Sequence, residues 1–299
     1  MSDRPAVDVV VPFAGSELAA LADRLRPLRL RAGDTLTIAL NRRSLDKGSD
    51  PRLSDDFRLV DASDRRGSYH ARNAGARGGT APWLLFIDAD VEPAPDLLDR
   101  LFEPAPRAET GALAGAVIDE PPPASERGPA ALRYAWLKSS MSQEHTLGHE
   151  GAAFAQTANC AVRRQAFADV GGFADEVRSG GDADLCFRLA AAGWELETRP
   201  SAAVLHRNRQ TVPRMLAQRA RHGAGAAWLG KRHPGVLPPR RVLGVAWWGA
   251  RRFGSGVAAL LRGDRDAALL GFLDGPAVLA FELGRRIPNR RQLQPRRRR

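Results

Sequence analysis

Two short stretches of this 299-residue chain hold the side chains best suited to chemistry. In Trp83-Leu84-Leu85-Phe86-Ile87-Asp88-Ala89-Asp90 an apolar run ends in two carboxylates at i and i+2. A run of that length without polar interruption is the mark of a strand buried on both faces, and ligands of α/β sheets gather at the carboxyl ends of such strands. Hard divalent cations take carboxylate together with phosphate oxygens, so the pair suits a metal shared with a diphosphate. The second stretch is Gly180-Gly181-Asp182-Ala183-Asp184-Leu185-Cys186-Phe187-Arg188-Leu189, followed by Ala192-Gly193-Trp194. Asp182 falls at a helix N-terminus, where the dipole is expected to lower its pKa and keep it ionised, ready to accept a proton from an attacking hydroxyl. The plainer alternative makes Asp182 a helix cap and pairs Asp184 with Arg188 one turn on; taken alone, this motif favours that alternative.

The elements that must carry these residues follow from periodicity. Val7 to Pro12 is a β-branched buried strand, Ser16 is placed to cap a helix from Glu17 to about Leu28, and Thr35 to Leu40 and Arg58 to Val60 are further strands. A helix over Tyr69 to Arg77 stops at Gly78-Gly79 before the Trp83 to Ile87 strand. Pro95 opens a helix through Phe102, and Ala112 to Ile118 is a strand. Pro121-Pro122-Pro123 then breaks the pattern, and Ser125 to Thr157 is expected to be loop-rich with one helix near Ala130 to Met141. Ala158 to Val162, a helix from Arg164 to Val170, a helix from Asp182 to Ala192, and strands near Glu195 and Val204 complete the series. Alternation of strand and helix predicts an α/β fold with a largely parallel sheet. The compact domain is expected to span residues 1–208, and residues 209–299 to form an extension of helices at Val212 to Leu229, Pro239 to Leu261 and Asp264 to Arg286.

Charge divides along the same line. Residues 1–199 carry 24 Lys and Arg against 30 Asp and Glu, a net of −6, and residues 200–299 carry 21 against 4, a net of +17, which together make the +11 of the whole chain. In the extension the arginines interleave with Trp228, Trp247, Trp248, Phe253 and Phe272. Such helices either pack on a core with a solvated basic face or lie flat on an anionic membrane surface. Basic charge also attracts nucleic acid, but no binding motif is present and the acidic first two thirds repel phosphate. The best candidate for a membrane span, Val242 to Leu261, is interrupted by Arg251 and Arg252, which disfavours one. Two cysteines, Cys160 and Cys186, make no disulfide framework, and with no signal-peptide pattern the expected location is the cytoplasm. Gly75, Gly78 and Gly79 do not form the fingerprint of a dinucleotide oxidoreductase. His145 and His149, with Glu144 and Glu150, lie in the expected loop and suit a polar lid better than a metal site.

The succession VVVP, ARNAG, a strand ending in DAD, TANCAVRRQAFADVGGF, GGDADLCFRLAAAGW and an AAVLH strand resembles the family 2 glycosyltransferases of GT-A fold, over residues 7 to about 234. Within that family the AGW, VxH and RHPG segments are most similar to the mycofactocin-system type. The resemblance implies a nucleotide-binding, Rossmann-like mixed sheet flanked by helices, an inverting transfer from a nucleotide-diphosphate sugar to a hydroxyl acceptor, and a divalent metal, Mn²⁺ or Mg²⁺. It places Pro12 and Ala14 beside the nucleotide, Arg72 and Asn73 toward nucleotide and phosphates, Asp88 on the ribose or the metal, Asp90 on the metal, and His206 as a further metal ligand. Asp182 becomes the general base. Two positions depart from the pattern. Asn41 stands where the family usually has an acidic residue reading the base, and Gly181 precedes Asp182 where the family usually has Glu. These departures leave the donor base open and keep a non-catalytic scaffold as the alternative. Oligomeric state is not legible.

Overall fold

In the computed structural model of the chain, residues 4–42, 57–123, 128–149 and 151–290 are described, so Glu150 and the basic end at Pro295 to Arg299 lie outside. Among the described residues eight strands and ten helices follow one another as β1 (Val7–Phe13), α1 (Leu18–Leu25), β2 (Thr35–Leu40), β3 (Arg58–Asp61), α2 (Ser68–Ala76), β4 (Trp83–Ile87), β5 (Val91–Pro93), α3 (Leu97–Leu101), β6 (Thr110–Asp119), α4 (Ala130–Leu137), α5 (Glu144–Leu147), β7 (Asn159–Arg163), α6 (Arg164–Asp169), α7 (Gly181–Ala191), β8 (Glu195–His206), α8 (Val212–Arg232), α9 (Val242–Leu261) and α10 (Arg265–Gly284). They group into a sheet unit, which runs to Ile118 and takes in Ser142–His206, and a helical unit of Asp119–Met141 and Arg207–Asn289.

The sheet has the order β3-β2-β1-β4-β7-β6-β8-β5. It is mixed rather than largely parallel. β3, β2, β1 and β4 run parallel, and β7 lies antiparallel to both β4 and β6. Val9, Val10 and Val11 of β1 and Leu84 to Ile87 of β4 are fully buried, as continuous apolar runs at the centre of a two-sided sheet require. α1 buries Leu18, Leu21, Ala22 and Leu25, one helical face, against it. Its cap position is Glu17 and no side chain caps it, which corrects the assignment of Ser16.

Two elements differ from the sequence expectation for steric reasons. The strands expected near Glu195 and Val204 are one twelve-residue strand, β8, whose interior Pro200 reads locally as a break. Its start meets the residue before β6 through the Glu195 N–H and the Glu109 carbonyl, and its end pairs with β5 from Val91↔His206 to Pro93↔Val204. β5 itself is three residues ending in proline, too short to show a period.

The helical unit has its own core, in which Ala131 and Tyr134 of α4 meet Met215 of α8 and Ala277 of α10, with Leu216, Leu269 and Leu273 around them. Buried charge stitches it. Asp274 accepts from the Tyr134 hydroxyl at 3.0 Å and pairs with Arg252 at 2.7 Å, and Glu282 pairs with Arg285 at 2.9 Å. Among the described residues one helix, α10, is long and apolar enough to cross a membrane, but it is packed against α4, α8 and α9.

Candidate active site

Because β1, β2 and β4 are parallel, Pro12 and Ala14, Asn41, and Asp88 with Asp90 emerge at the same edge of the sheet. The turn that holds the aspartates is fixed from α1, where the Arg24 guanidinium donates to the Ala89 carbonyl at 2.9 Å. His206, at the end of β8, is buried and comes to this edge through the β5 pairing, with Nε2 3.6 Å from Asp90 Oδ1.

The organising element is α2. In the run Tyr69-His70-Ala71-Arg72-Asn73 the side chains of Tyr69, His70, Arg72 and Asn73 each fasten a different part of the edge. Tyr69 donates its hydroxyl to Asp182 Oδ1 at 3.3 Å. The two ring nitrogens of His70 lie 2.8 Å from Asp64 and 3.0 Å from Asp175, and the bond to His70 holds the Asp64 carboxyl below the usual aspartate range. Arg72, buried, bonds to Asp88, with its guanidinium over the rings of Tyr69 and Phe173 at 5.5 and 6.0 Å. Asn73 donates to the Phe173 carbonyl at 2.9 Å and accepts the Phe173 N–H at 3.0 Å. Phe173 is in turn seated on Phe86 of β4 and on Phe167, with ring centroids 4.9 and 5.4 Å apart. The ARNAG and VGGF segments, a hundred residues apart, are therefore one structure.

Several residues assigned from sequence take different partners. Asn73 is spent on the Phe173 backbone and does not face outward as a phosphate donor. Arg72 reaches the edge through Asp88, and its Nε is buried without a partner. Asn41 donates both amide protons, to the Ala62 and Arg65 carbonyls at 2.6 and 2.8 Å, and accepts the Gly67 N–H at 2.7 Å. It holds the loop that leads into α2, so its N–H groups are not available to a nucleobase. An aspartate could not make the two donations, which accounts for the amide at this position. Tyr69, His70, Arg24, Asp64 and Asp175 were not found from sequence. The available signal was a tyrosine and a histidine directly before Arg72 and Asn73 in an otherwise small-residue helix.

Asp182 lies in the first turn of α7, but the cap is Gly180, at φ 86°, and no side chain caps the helix. The capping alternative therefore fails for Asp182, while its other half holds: Asp184 is buried and paired with Arg188 at 2.9 Å. The expected lowering of the Asp182 pKa is reversed. Burial pushes its carboxyl up, against the pull of the Ala183 N–H and the Arg72 guanidinium, and the nearby Asp88 pushes the same way. Burial likewise raises the Tyr69 phenol, which stays a proton donor. Gly181 is explained by the same ring. A Cβ there would come 2.8 Å from Tyr69, so Tyr69 occupies the space that an acidic side chain before Asp182 would need.

Among the described residues no three His, Cys, Asp or Glu side chains form a self-contained metal cage. Asp90 and the His206 Nε2 nonetheless face each other at a distance two ligands of one ion can share. Among the described residues the buried His206 Nδ1 has no hydrogen-bond partner, and Nε2 is the ring nitrogen turned to Asp90. The donor set fits an ion completed by substrate oxygens. Cys186 packs beneath α7 and accepts the Ala155 N–H at 3.4 Å.

A model of glycosyl transferase family 2 matches residues 37–171. The pre-mycofactocin glycosyltransferase of Mycobacterium tuberculosis is 31% identical over 303 residues, covering 91% of this chain and 60% of that protein. Glycosyltransferase AglE of Haloferax volcanii is 28% identical over 201 residues, 65% of this chain and 61% of the relative. The chain thus spans about three fifths of the length of these relatives. In structure, the mannosyltransferase of Pyrobaculum calidifontis, solved with GDP-Man and Mn²⁺, superposes with a TM-score of 0.54 at 19% identity, over 93% of this chain and 73% of that one. Glucosyl-3-phosphoglycerate synthase of Mycobacterium tuberculosis, solved with Mn²⁺, UDP and its product, gives 0.50 at 18% identity, over 76% and 80%. With its mixed sheet and its carboxylates gathered at one edge, the chain has the GT-A fold, and over residues 37–171 it is a match to the family 2 glycosyltransferases, with the mycofactocin type among its relatives.

Proposed function

We propose that the protein is an inverting glycosyltransferase that moves a sugar from a nucleotide-diphosphate donor to a hydroxyl acceptor, with Asp182 as general base. The observation that carries this reading is the convergence of Asp182, Tyr69, Arg72 and Asp88 on one edge of the sheet, with the Asp182 carboxyl pushed up by burial. A base whose pKa approaches the working pH accepts a proton more readily than an ordinary aspartate. Tyr69 steers that carboxylate through its hydroxyl. Arg72 sets the orientation of Asp88, which is left to meet the ribose. Pro12 and Ala14 border the donor, and Asn41 acts on it indirectly by shaping the 62–67 loop. Attack by the acceptor oxygen on the anomeric carbon, as Asp182 takes its proton, expels the nucleoside diphosphate and inverts the centre in one displacement. Asp90 and His206, with Asp88 beside them, would hold Mn²⁺ or Mg²⁺, which when bound neutralises charge on the leaving diphosphate.

The departures that motivated a non-catalytic reading have structural causes, since Gly181 makes room for Tyr69 and Asn41 serves the loop. The acceptor class remains a hydroxyl on a glycan, a lipid-linked carrier or a peptide-derived small molecule. A thermal-shift screen of nucleotide sugars with and without Mn²⁺ tests the donor site, because a ligand that binds only the folded state raises its melting temperature. The expected result is a metal-dependent shift with one or two donors that disappears in Asp90→Asn; equal shifts in that variant would move the metal elsewhere.

A further inference from the structure

In the helical unit, α9 is turned the wrong way round for a helix facing water. Its inner stripe, Val245, Gly249, Arg252, Gly256 and Ala259, lies on α10, so closely that a Cβ on Gly271 would come 2.5 Å from the Gly256 Cα. The opposite stripe is Leu243, Trp247, Ala250, Gly254, Val257 and Leu261, at spacings of four and three that keep one face of a helix. A surface helix carries polar residues there. Here Leu243 is 85%, Trp247 63% and Leu261 84% exposed. The stripe runs about 27 Å at 1.5 Å per residue. Phe253 and Leu260, also exposed, widen it on one side, and Arg251 borders it on the other with its guanidinium over the Trp247 ring at 4.8 Å. Exposed arginines stand at both ends, Arg240 and Arg241 before the helix and Arg262 and Arg265 after it, and α9 contains no acidic residue.

We infer that α9 is a membrane-surface helix, which lies in the headgroup plane of an anionic bilayer with its outer stripe in the acyl boundary and its arginines on lipid phosphates. The combination of a continuous apolar face with a basic border is what such a surface selects. A second copy of the chain is a poor occupant, because pairing α9 with itself would set arginine against arginine with no acid on either helix. A membrane span is excluded by Arg251 and Arg252 at mid-helix. α10, the helix long and apolar enough to cross a membrane, is held inside the unit by its buried, paired Asp274 and Glu282.

The test is co-sedimentation of the full chain with vesicles of phosphatidylcholine alone and of phosphatidylcholine mixed equally with phosphatidylglycerol, at low and high salt. The anionic vesicles should bind the chain, with a blue shift of tryptophan emission, and high salt should weaken but not abolish binding. Leu243→Ser with Leu261→Ser should weaken it on the order of tenfold without moving the melting temperature, since both side chains are exposed. Arg251→Gln alone should weaken it less and lower its dependence on charged lipid. The inference is overturned if the anionic vesicles fail to bind the chain, if the double variant binds as the parent does, if sedimentation equilibrium shows a dimer that the double variant breaks, or if duplex DNA displaces the chain from vesicles. None of these readouts depends on glycosyl transfer, so their failure leaves the active-site proposal standing, and the reverse holds.

Discussion

The two units of this chain use their buried polar groups differently. In the sheet unit, beside framework pairs such as Arg4 with Asp34 and Arg164 with Asp8, buried side chains converge on one functional edge: Arg72 on Asp88, His70 between Asp64 and Asp175, Tyr69 on Asp182. In the helical unit, Asp274 of α10 is consumed inside the bundle, where it ties Tyr134 of α4 and Arg252 of α9 together, and Glu282 pairs with Arg285 three residues on at the end of the same helix. Apolar groups are placed in the complementary fashion. Of the large hydrophobic residues exposed among the described residues, Leu30 and Ile118 belong to the sheet unit, whereas eight lie on α9 alone. A polar group inside is costly unless it is paired, and an apolar group outside is costly unless something covers it. The first unit accepts the former cost to build a site and the second accepts the latter to present a surface.

The sharpest way to break that contrast is at Asp182. Asp182→Asn should lower kcat by about a hundredfold or more, as loss of a general base does, with donor affinity retained by calorimetry. The same change should raise the melting temperature at neutral pH. Burial lifts the folded-state pKa of Asp182 above its unfolded value, so its ionised form opposes folding, and that penalty shrinks as the pH falls through the folded pKa and is gone below the unfolded one. The gain in stability should therefore disappear in acid. A variant both inactive and less stable at neutral pH would return Asp182 to a structural role.

Asn41→Asp opposes a carboxylate to the Ala62 and Arg65 carbonyls. Loss of two buried donations should cost roughly 3 kcal/mol in urea unfolding. Gly181→Ala drives a methyl into the Tyr69 ring and should cost about 2 kcal/mol, most of it recovered by adding Tyr69→Leu, as a double-mutant cycle would reveal. Tyr69→Phe keeps the ring and removes the hydroxyl. It should leave stability within about 1 kcal/mol and shift the acidic limb of the pH-rate profile upward, because the Asp182 carboxylate loses a donor that favours its charged form. On the other side of the comparison, Leu261→Ser should change stability by no more than about 0.5 kcal/mol, since its side chain packs on almost nothing.

Much of the framework was legible from short-range pattern. β2 and β4 fall where their apolar runs end, at Thr35–Leu40 and Trp83–Ile87, because burial on both faces of a sheet leaves an uninterrupted hydrophobic signature. The three long helices of the extension were visible for a similar reason, in their length and periodicity. Pro200 concealed the continuity of β8, and three residues were too few to announce β5.

What the amino-acid order determined by itself was the kind of fold, the family, the carboxylates at the end of β4 and the asymmetry of charge, all properties written into neighbouring residues. Tertiary structure decided the rest. Tyr69 meets Asp182 across 113 positions and Asn73 meets Phe173 across 100, and no local pattern encodes which distant carbonyl or carboxylate a polar side chain will find. The same holds for direction. Composition marked the extension as apolar and basic, but only the packing of Gly256 on Gly271 determined which stripe of α9 turned inward and which was left facing out. Burial likewise reversed the sign expected for the Asp182 pKa, since desolvation depends on what the fold stacks over a carboxylate, whereas the helix dipole can be read from position alone.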